Sequence, residues 1–501
     1  MPDGLKELLV VLAIATLTFW FAKPAVLKFS SEADFSRRRN VWLILTSVAF
    51  LSPSFWLFAL VAVPLLLFAG RKDTNPIALY LSLLCVIPAI EVDVPMVGIN
   101  HLIDLDIYRL LALFVLIPTV WRWRQSQHGA GLRGLDIVDY MLLGFGALQT
   151  LVFVPPDLPH QLLLPDSPTN VIRRACLFFI DTYLVYFAVR RCCPDRRALL
   201  EALAAFCLSC VLMAGVAVFE SLRHLLLYID IGVRWIGDPG FYNMRGGVLR
   251  AAASAGDPLA LGYLLAIACG FWLHLQSRMQ SARQRIAVVL LLWLGLLAAY
   301  SRGPWFGAVA IYFTFAALGS RAPSRLFKLT CAVALVAAVI AISPIGERIT
   351  NVLPFMGGHV DQYNVLYRER LAQRSWVLIQ QNPVFGDRLA LLKLQDLRQG
   401  TGIIDLVNAY AEIALFYGLL GLTLFLGPML VALLRAYRLA RSALRYDSDF
   451  ASLGVSLSAC ALGTLFMLTS CSLILGYQKM FYVLTGLLAA YTHLGKLPEP
   501  R

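Results

Sequence analysis

Charge is scarce in this chain. Only 15% of its 501 residues are Asp, Glu, Lys or Arg, where a soluble domain carries about 25%. With 59% hydrophobic residues, that scarcity excludes a string of soluble cores. Low-complexity tracts and internal repeats are missing, so disordered tails and solenoids are not expected. No Walker motif is present, which argues against an ATP-driven pump. The ten cysteines form neither a disulfide framework nor a zinc spacing. Most lie inside apolar blocks (Cys85, Cys207, Cys210, Cys269, Cys331, Cys460, Cys471), where a thiol is an ordinary packing group. Cys192-Cys193 falls in a basic loop assigned to the reducing cytoplasm. A small-residue cleavage site is absent after the first apolar block, Leu8–Ala22, so this block reads as a retained helix rather than a signal peptide.

What the chain has instead is apolar blocks of about 17–25 residues, the length that spans a bilayer core. Spans are predicted at 5–22, 40–52, 54–70, 77–92, 107–122, 137–155, 171–190, 197–221, 257–277, 284–300, 303–319, 326–344, 408–436, 450–473 and 478–495. The expectation is an all-α polytopic membrane protein with about 14 transmembrane helices; the first can instead be interfacial. Pro53 would break a single span through Ser52-Pro53-Ser54, so a hairpin is expected there.

The net charge of +13 does not point to nucleic acid, because the basic residues gather in short alternate loops, as membrane topology requires. Those loops include Arg37-Arg38-Arg39, Arg71-Lys72, Arg190-Arg191 and Arg435 to Arg445. The loops between them, 93–106 and 156–169, are poor in base. The basic side is assigned to the cytoplasm, with the C-terminus. The outer face then carries two long loops, 222–256 and 345–407. The regions along the chain are 1–170, 171–344, the large and partly helical loop 345–407, and 408–501. Within that loop, Arg368 to Gln381 is predicted as an amphipathic helix with Leu371, Trp376, Val377 and Ile379 on its apolar side, ended by Pro383 and Gly386. Neither long loop holds an Asp-rich metal motif, so no metal and no cofactor are expected.

The informative residues are arginines on the outer side, where topology does not ask for them: Arg173-Arg174, Arg245, Arg250, Arg302, Arg368, Arg370, Arg374 and Arg388. A guanidinium is always charged and offers a planar fork to phosphate oxygens. Such a cluster at the mouth of a bundle suits a lipid diphosphate. The alternative is that each snorkels to headgroups or pairs with a nearby acid. Arg302 stands apart because it sits at a membrane-edge break, before Gly303-Pro304. Asp361, Asp405 and Glu412 are candidate bases for a hydroxyl; Asp405 also reads as a helix cap. His359 is a candidate base or a surface imidazole. Trp305, Trp376 and Tyr410 can stack on sugars or pack the core.

Three stretches, with a fourth upstream, resemble the O-antigen ligase and Wzy polymerase superfamily. Tyr300-Ser301-Arg302-Gly303-Pro304-Trp305-Phe306-Gly307 resembles its "SRG" segment. Arg370 through Arg374 and Trp376, then Asn382-Pro383-Val384-Phe385-Gly386, is similar to its Arg…Trp helix and "P-hydrophobic-G" turn. Val407-Asn408 with Gly418 and Gly421 resembles its "HN" and GxxG signature. Arg250 through Asp257-Pro258 to Gly262 is similar to an upstream stretch. The resemblance covers roughly residues 170–440. It implies a bacterial inner-membrane glycosyltransferase acting at the periplasmic face. The donor and acceptor are polyprenyl-diphosphate-linked glycans, and membrane lipids, a flippase and a chain-length regulator are partners of the pathway. Arg302, Arg250 and Arg370 are then assigned to the diphosphate, with Asp405 and Glu412 as the carboxylates that assist the acceptor hydroxyl. Arg173, Arg174, Arg245, Arg374, His359, Trp305, Trp376, Asn408 and Tyr410 are assigned to substrate binding. Val407 stands where ligases carry a histidine thought to activate the acceptor. A valine takes no proton, which favours an exopolysaccharide or O-antigen polymerase. A ligase and an exporter without chemistry are the alternatives; an exporter would call for inverted repeats and mid-membrane polar groups.

Overall fold

The computed structural model describes residues 4–98, 101–126, 134–152, 168–237, 244–245, 247–320, 322–342, 362–398, 404–473 and 475–495. Numbered along the chain, its helices are α1 (Leu5–Val26), α2 (Glu32–Leu51), α3 (Phe55–Lys72), α4 (Pro76–Leu83), α5 (Ile107–Leu111), α6 (Ile117–Ser126), α7 (Ile137–Leu151), α8 (Pro168–Phe178), α9 (Leu184–Arg191), α10 (Arg196–Arg223), α11 (Ile229–Ile236), α12 (Pro258–Leu275), α13 (Ala282–Ala298), α14 (Arg302–Leu318), α15 (Ala322–Ile342), α16 (Gln362–Gln381), α17 (Ala409–Ala443), α18 (Ser448–Met467) and α19 (Leu475–Leu494). Two antiparallel two-residue ladders complete the pattern: β1 (Val92–Asp93) with β2 (Asp104–Leu105), and β3 (Met244–Arg245) with β4 (Val248–Leu249). Helix starts follow local chemistry. Asp195, Asp257 and Asn408 each accept backbone N–H groups of the first turn that follows, satisfying donors that a helix cannot satisfy itself.

Among the described residues, six helices are long and apolar enough to cross a membrane: α1, α3, α10, α12 (extended to Arg278), α17 and α18. The chain is an all-α, multi-pass membrane protein. The other apolar blocks form helices that are shorter, carry charged turns or are interrupted, so these six fall short of the 14 crossings expected from sequence. The stretch expected to span at 77–92 is helical only over α4, eight residues long, and then continues as buried turns through Pro88. Around Pro53, α2 and α3 are separated by Ser52-Pro53-Ser54 and pack on each other. All ten cysteines are free thiols.

The core sits on α10 and α12, whose apolar windows are 78% and 89% buried against 17% for α1. Without a hydrophobic drive inside lipid, helices associate through close packing of small residues. The α14–α18 pair shows this: Gly463 lies against Ile311 and the Gly307 carbonyl, and Gly307 lies against Met467. Two π-helical turns, Ala112–Leu116 between α5 and α6 and Phe179–Tyr183 between α8 and α9, interrupt otherwise continuous helices.

The second long loop is built around α16. Its inward face is Tyr367, Leu371, Ser375 and Ile379, each buried and spaced four apart, as a helix stripe requires. Trp376 and Val377 were expected on that side but are 60% and 49% exposed. One residue round a helix is about 100°, so the stripe through 367 and 371 turns both outward. The loop core joins these residues to Ala390, Leu394 and Leu397 and to Leu406, Ala414 and Leu415 of the α17 region. α16 is therefore docked on the bundle. The tyrosine at 367 locks it there: its hydroxyl donates to the Asp405 carbonyl at 3.1 Å and accepts from the Asp405 N–H at 3.0 Å.

Candidate functional site

α17 is broken at Gly418, whose φ of 66° and ψ of −168° lie outside the helix. A break in a membrane span leaves backbone groups that lipid cannot satisfy. The turn Pro383-Val384-Phe385-Gly386 fills it. Leu419 and Leu420 donate their N–H groups to the Pro383 and Val384 carbonyls at 2.8 and 3.2 Å, and Asp387 donates to the Leu415 carbonyl at 2.7 Å. Glycine is required on both sides. Gly386 has φ 70°, and a Cβ on Gly418 would lie 2.2 Å from the Val384 carbonyl oxygen. The 383–387 turn and the broken helix α17 thus form one unit.

Next to it, three chain segments bring arginines together. The joint between α13 and α14 turns at Tyr300, with a left-handed φ of 49°. Ser301 follows, its hydroxyl donating to the Ala299 carbonyl at 3.0 Å and accepting from Arg250 Nη2 at 2.7 Å. Arg245 Nη1 donates to the Tyr300 carbonyl at 3.3 Å. Burial, and then the charges of Arg250, Arg302 and Arg368, pull the Arg245 guanidinium down to about 10. It stays charged at neutral pH. Four guanidiniums, from the first outer loop, the α14 start and α16, therefore share one neighbourhood. Arg302 itself lies in the field of Arg245 and Arg368. Like charges held together repel, so the arrangement suits an anion with several oxygens.

Acids border this cluster. Asp257, at the start of α12, lies within electrostatic reach of both Arg250 and Asp405, and Asp405 within reach of Glu412. Asp405 is exposed and accepts from the Ser472 hydroxyl at 3.0 Å, while Glu412 accepts from the Leu473 N–H at 3.2 Å. Asn408, one residue after Val407, caps α17 by accepting from Tyr410 and Ala411 N–H at 2.9 and 3.1 Å. The Tyr410 hydroxyl donates to the Leu465 carbonyl.

The remaining candidates divide. Arg370, two residues from Arg368, is about 200° further round the helix and exposed; no described residue pairs with it. Arg374 pairs with Asp396 at 2.7 Å on the exposed loop. Trp305 is 8% exposed, donates to the Leu296 carbonyl at 2.7 Å and meets the Tyr300 ring edge-on, so it packs the joint. Arg173 ties α8 to the β1–β2 hairpin, donating to the Leu102 carbonyl at 3.0 Å and to the His101 carbonyl. Arg174 lies within reach of Tyr417. His359 and Asp361 lie outside the described residues.

The sequence reading missed a buried ion network. Lys479, on α19 and 0% exposed, donates to Asp181 in the second π-helical turn. Arg109 reaches the same carboxylate at 3.1 Å and Glu91 at 3.1 Å, with the Asp106 carboxylate, 0% exposed, close by. The signal was one lysine and one aspartate inside apolar blocks, which membrane burial makes costly unless paired. One group among the described residues, Asp93, His101 and Asp104, has ligand atoms close enough for a metal. Its imidazole turns Nε2 to Asp104 at 2.8 Å and Nδ1 to Asp93 at 3.7 Å.

No curated protein matches the chain. Residues 286–426 match the family model Wzy_C, described as O-antigen ligase. The matched stretch runs from α13 through the break in α17 and contains Arg302, Arg368, Asp405 and Glu412. By this match residues 286–426 are similar to an O-antigen ligase domain, in support of the O-antigen ligase and Wzy superfamily.

Proposed function

We propose that the chain polymerises polyprenyl-diphosphate-linked repeat units of an exopolysaccharide or O-antigen at the periplasmic face of the bacterial inner membrane. The family match supports glycosyl transfer of the ligase or polymerase type. The observation that carries the rest is the shared neighbourhood of Arg245, Arg250, Arg302 and Arg368. A sugar hydroxyl of one lipid-linked unit attacks the anomeric carbon of another. The bond from that carbon to the diphosphate oxygen breaks, and the electron pair leaves with the diphosphate. Charge grows on those oxygens, and guanidiniums fixed beforehand in a water-poor site stabilise it. The proton of the attacking hydroxyl passes to Asp405 or Glu412, the acids bordering the cluster.

The match to an O-antigen ligase family favours a second reading, ligation of a finished glycan to a lipid or protein acceptor. Val407 weighs against it. Deletion of the gene followed by glycan profiling separates the two. A polymerase deletion leaves single lipid-linked units and no long chains. A ligase deletion leaves full-length lipid-linked chains that never reach their acceptor.

A further inference from the structure

The first outer loop leaves α10 at Arg223 and returns to α12 at Pro258. Its two ends are joined by one side chain. Glu220, 1% exposed near the end of α10, accepts from the Leu227 N–H through Oε1 at 2.9 Å. Its Oε2 accepts from the Ala252 and Ala253 N–H groups at 3.0 and 2.8 Å. One oxygen thus holds the segment leaving the bundle, the other the segment returning. Among the described residues no ion pair reaches this carboxylate; its three partners are backbone donors, a set that can hold a buried carboxylate.

The returning segment is the one that carries Arg250. Ala253 has a left-handed φ of 45°, a conformation that costs about 1 kcal/mol or more for a residue with a Cβ and persists only where surroundings impose it. Its N–H, in that conformation, is held by Glu220. Three residues upstream, Arg250 reaches Ser301 at 2.7 Å, and Ala251 donates to the Ala298 carbonyl at 3.0 Å. The chain of contacts therefore runs from Glu220 through Ala252-Ala253 to Arg250 and on to the joint that bears Arg302.

We propose that Glu220 is a positioning residue of the diphosphate site: its carboxylate staples the first outer loop and so fixes Arg250 beside Ser301 and Arg302. This rests on the diphosphate reading of the arginine cluster. A carboxylate is needed because both oxygens accept. A glutamine keeps one acceptor and turns its amide N–H₂ toward donors at the other end, which leaves buried N–H groups unmet.

The test uses the full chain in proteoliposomes, with lipid-linked glycan extracted from a strain lacking the gene as substrate. Glu220→Gln is expected to lower kcat by about tenfold or more, through the cost of unmet buried donors, with a smaller change in KM, because the demand on Arg250 is greatest as charge develops. Arg250→Lys is expected to lower kcat as well. The double variant should be little worse than Arg250→Lys alone, since Glu220 acts through that side chain. Ala253→Gly should be silent alone and should restore part of the activity to Glu220→Gln, because glycine adopts the left-handed turn unaided. If Glu220→Gln does not accumulate, Glu220→Asp, which keeps both oxygens on a shorter arm, is read in the same cycle. Losses that multiply in the double variant, no rescue by Ala253→Gly, or full activity in Glu220→Gln would overturn the staple while leaving the diphosphate site standing. Full activity in Arg250→Lys and in Arg250→Ala would overturn both.

Discussion

An ammonium and a guanidinium carry the same charge but present it differently to a diphosphate, and Arg302 is where that difference is measurable. Lysine offers a point charge without the planar fork. Arg302→Lys is expected to lose most polymer length on a gel while the protein still accumulates in the membrane. Normal length in that variant would reduce Arg302 to a topological charge. A second comparison separates neighbours on α16. Arg368 lies within the field of Arg245 and Arg302, whereas Arg370 points elsewhere, so Arg368→Ala should cut activity by about tenfold or more and Arg370→Ala by much less. Equal losses would mean that α16 turns when substrate binds. That Arg250 and Arg302 are candidates is legible in the sequence, because arginines in loops assigned to the outer side answer no topological need. The choice between Arg368 and Arg370 is not. It depends on the phase of a helix that is set by the burial of Tyr367 and Leu371, and that phase is fixed by a surface contributed from residues 406–415.

Between elements, the contact of greatest consequence is the insertion of Pro383–Gly386 into the break of α17. Gly418→Ala places a methyl group where only about 2.2 Å is free and adds a left-handed alanine. A loss of about 3 kcal/mol or more is expected from such a forced contact. Thermal unfolding in detergent should show a lower midpoint, and activity should fall with it because α16 loses its dock. A Gly418→Ala protein with an unchanged midpoint would show that the break is not held by this turn. The buried ion network makes a parallel case. Lys479→Met leaves Asp181 without one of its two cations, and removing one partner of a buried pair costs about 3–5 kcal/mol. Lys479→Met with Asp181→Asn should recover part of the lost accumulation, as measured by immunoblot of membranes. The turn motif at 383–386 is visible as a Pro-to-Gly stop, but its partner is not, since glycine in a membrane helix is common. Lys479 and Asp181 are 298 residues apart, and pairing over that distance leaves no local pattern to read.

Taken whole, the molecule was legible as a class and less so as a count. Apolar blocks of spanning length are unmistakable, and helices lie in or across all of them. Crossings are harder to number, because α4 shortens to a single buried helix of eight residues and π-turns interrupt two others. The basic loops predict an orientation that labelling can test. In a background with the exposed Cys176 and Cys331 replaced by serine, an impermeant thiol reagent applied to intact cells with a permeabilised outer membrane should label Gln373→Cys and not Arg441→Cys. The reverse pattern would invert the topology.

The central claim is that this bundle joins lipid-linked glycans by displacing a polyprenyl diphosphate. The most direct measurement supplies the purified chain, in proteoliposomes, with lipid-linked single repeat units and a chelator. The account predicts a ladder of longer lipid-linked glycans and one polyprenyl diphosphate released for each new bond, with the chelator making no difference because the cations are side chains. Single units that stay single, with no diphosphate released, would contradict it.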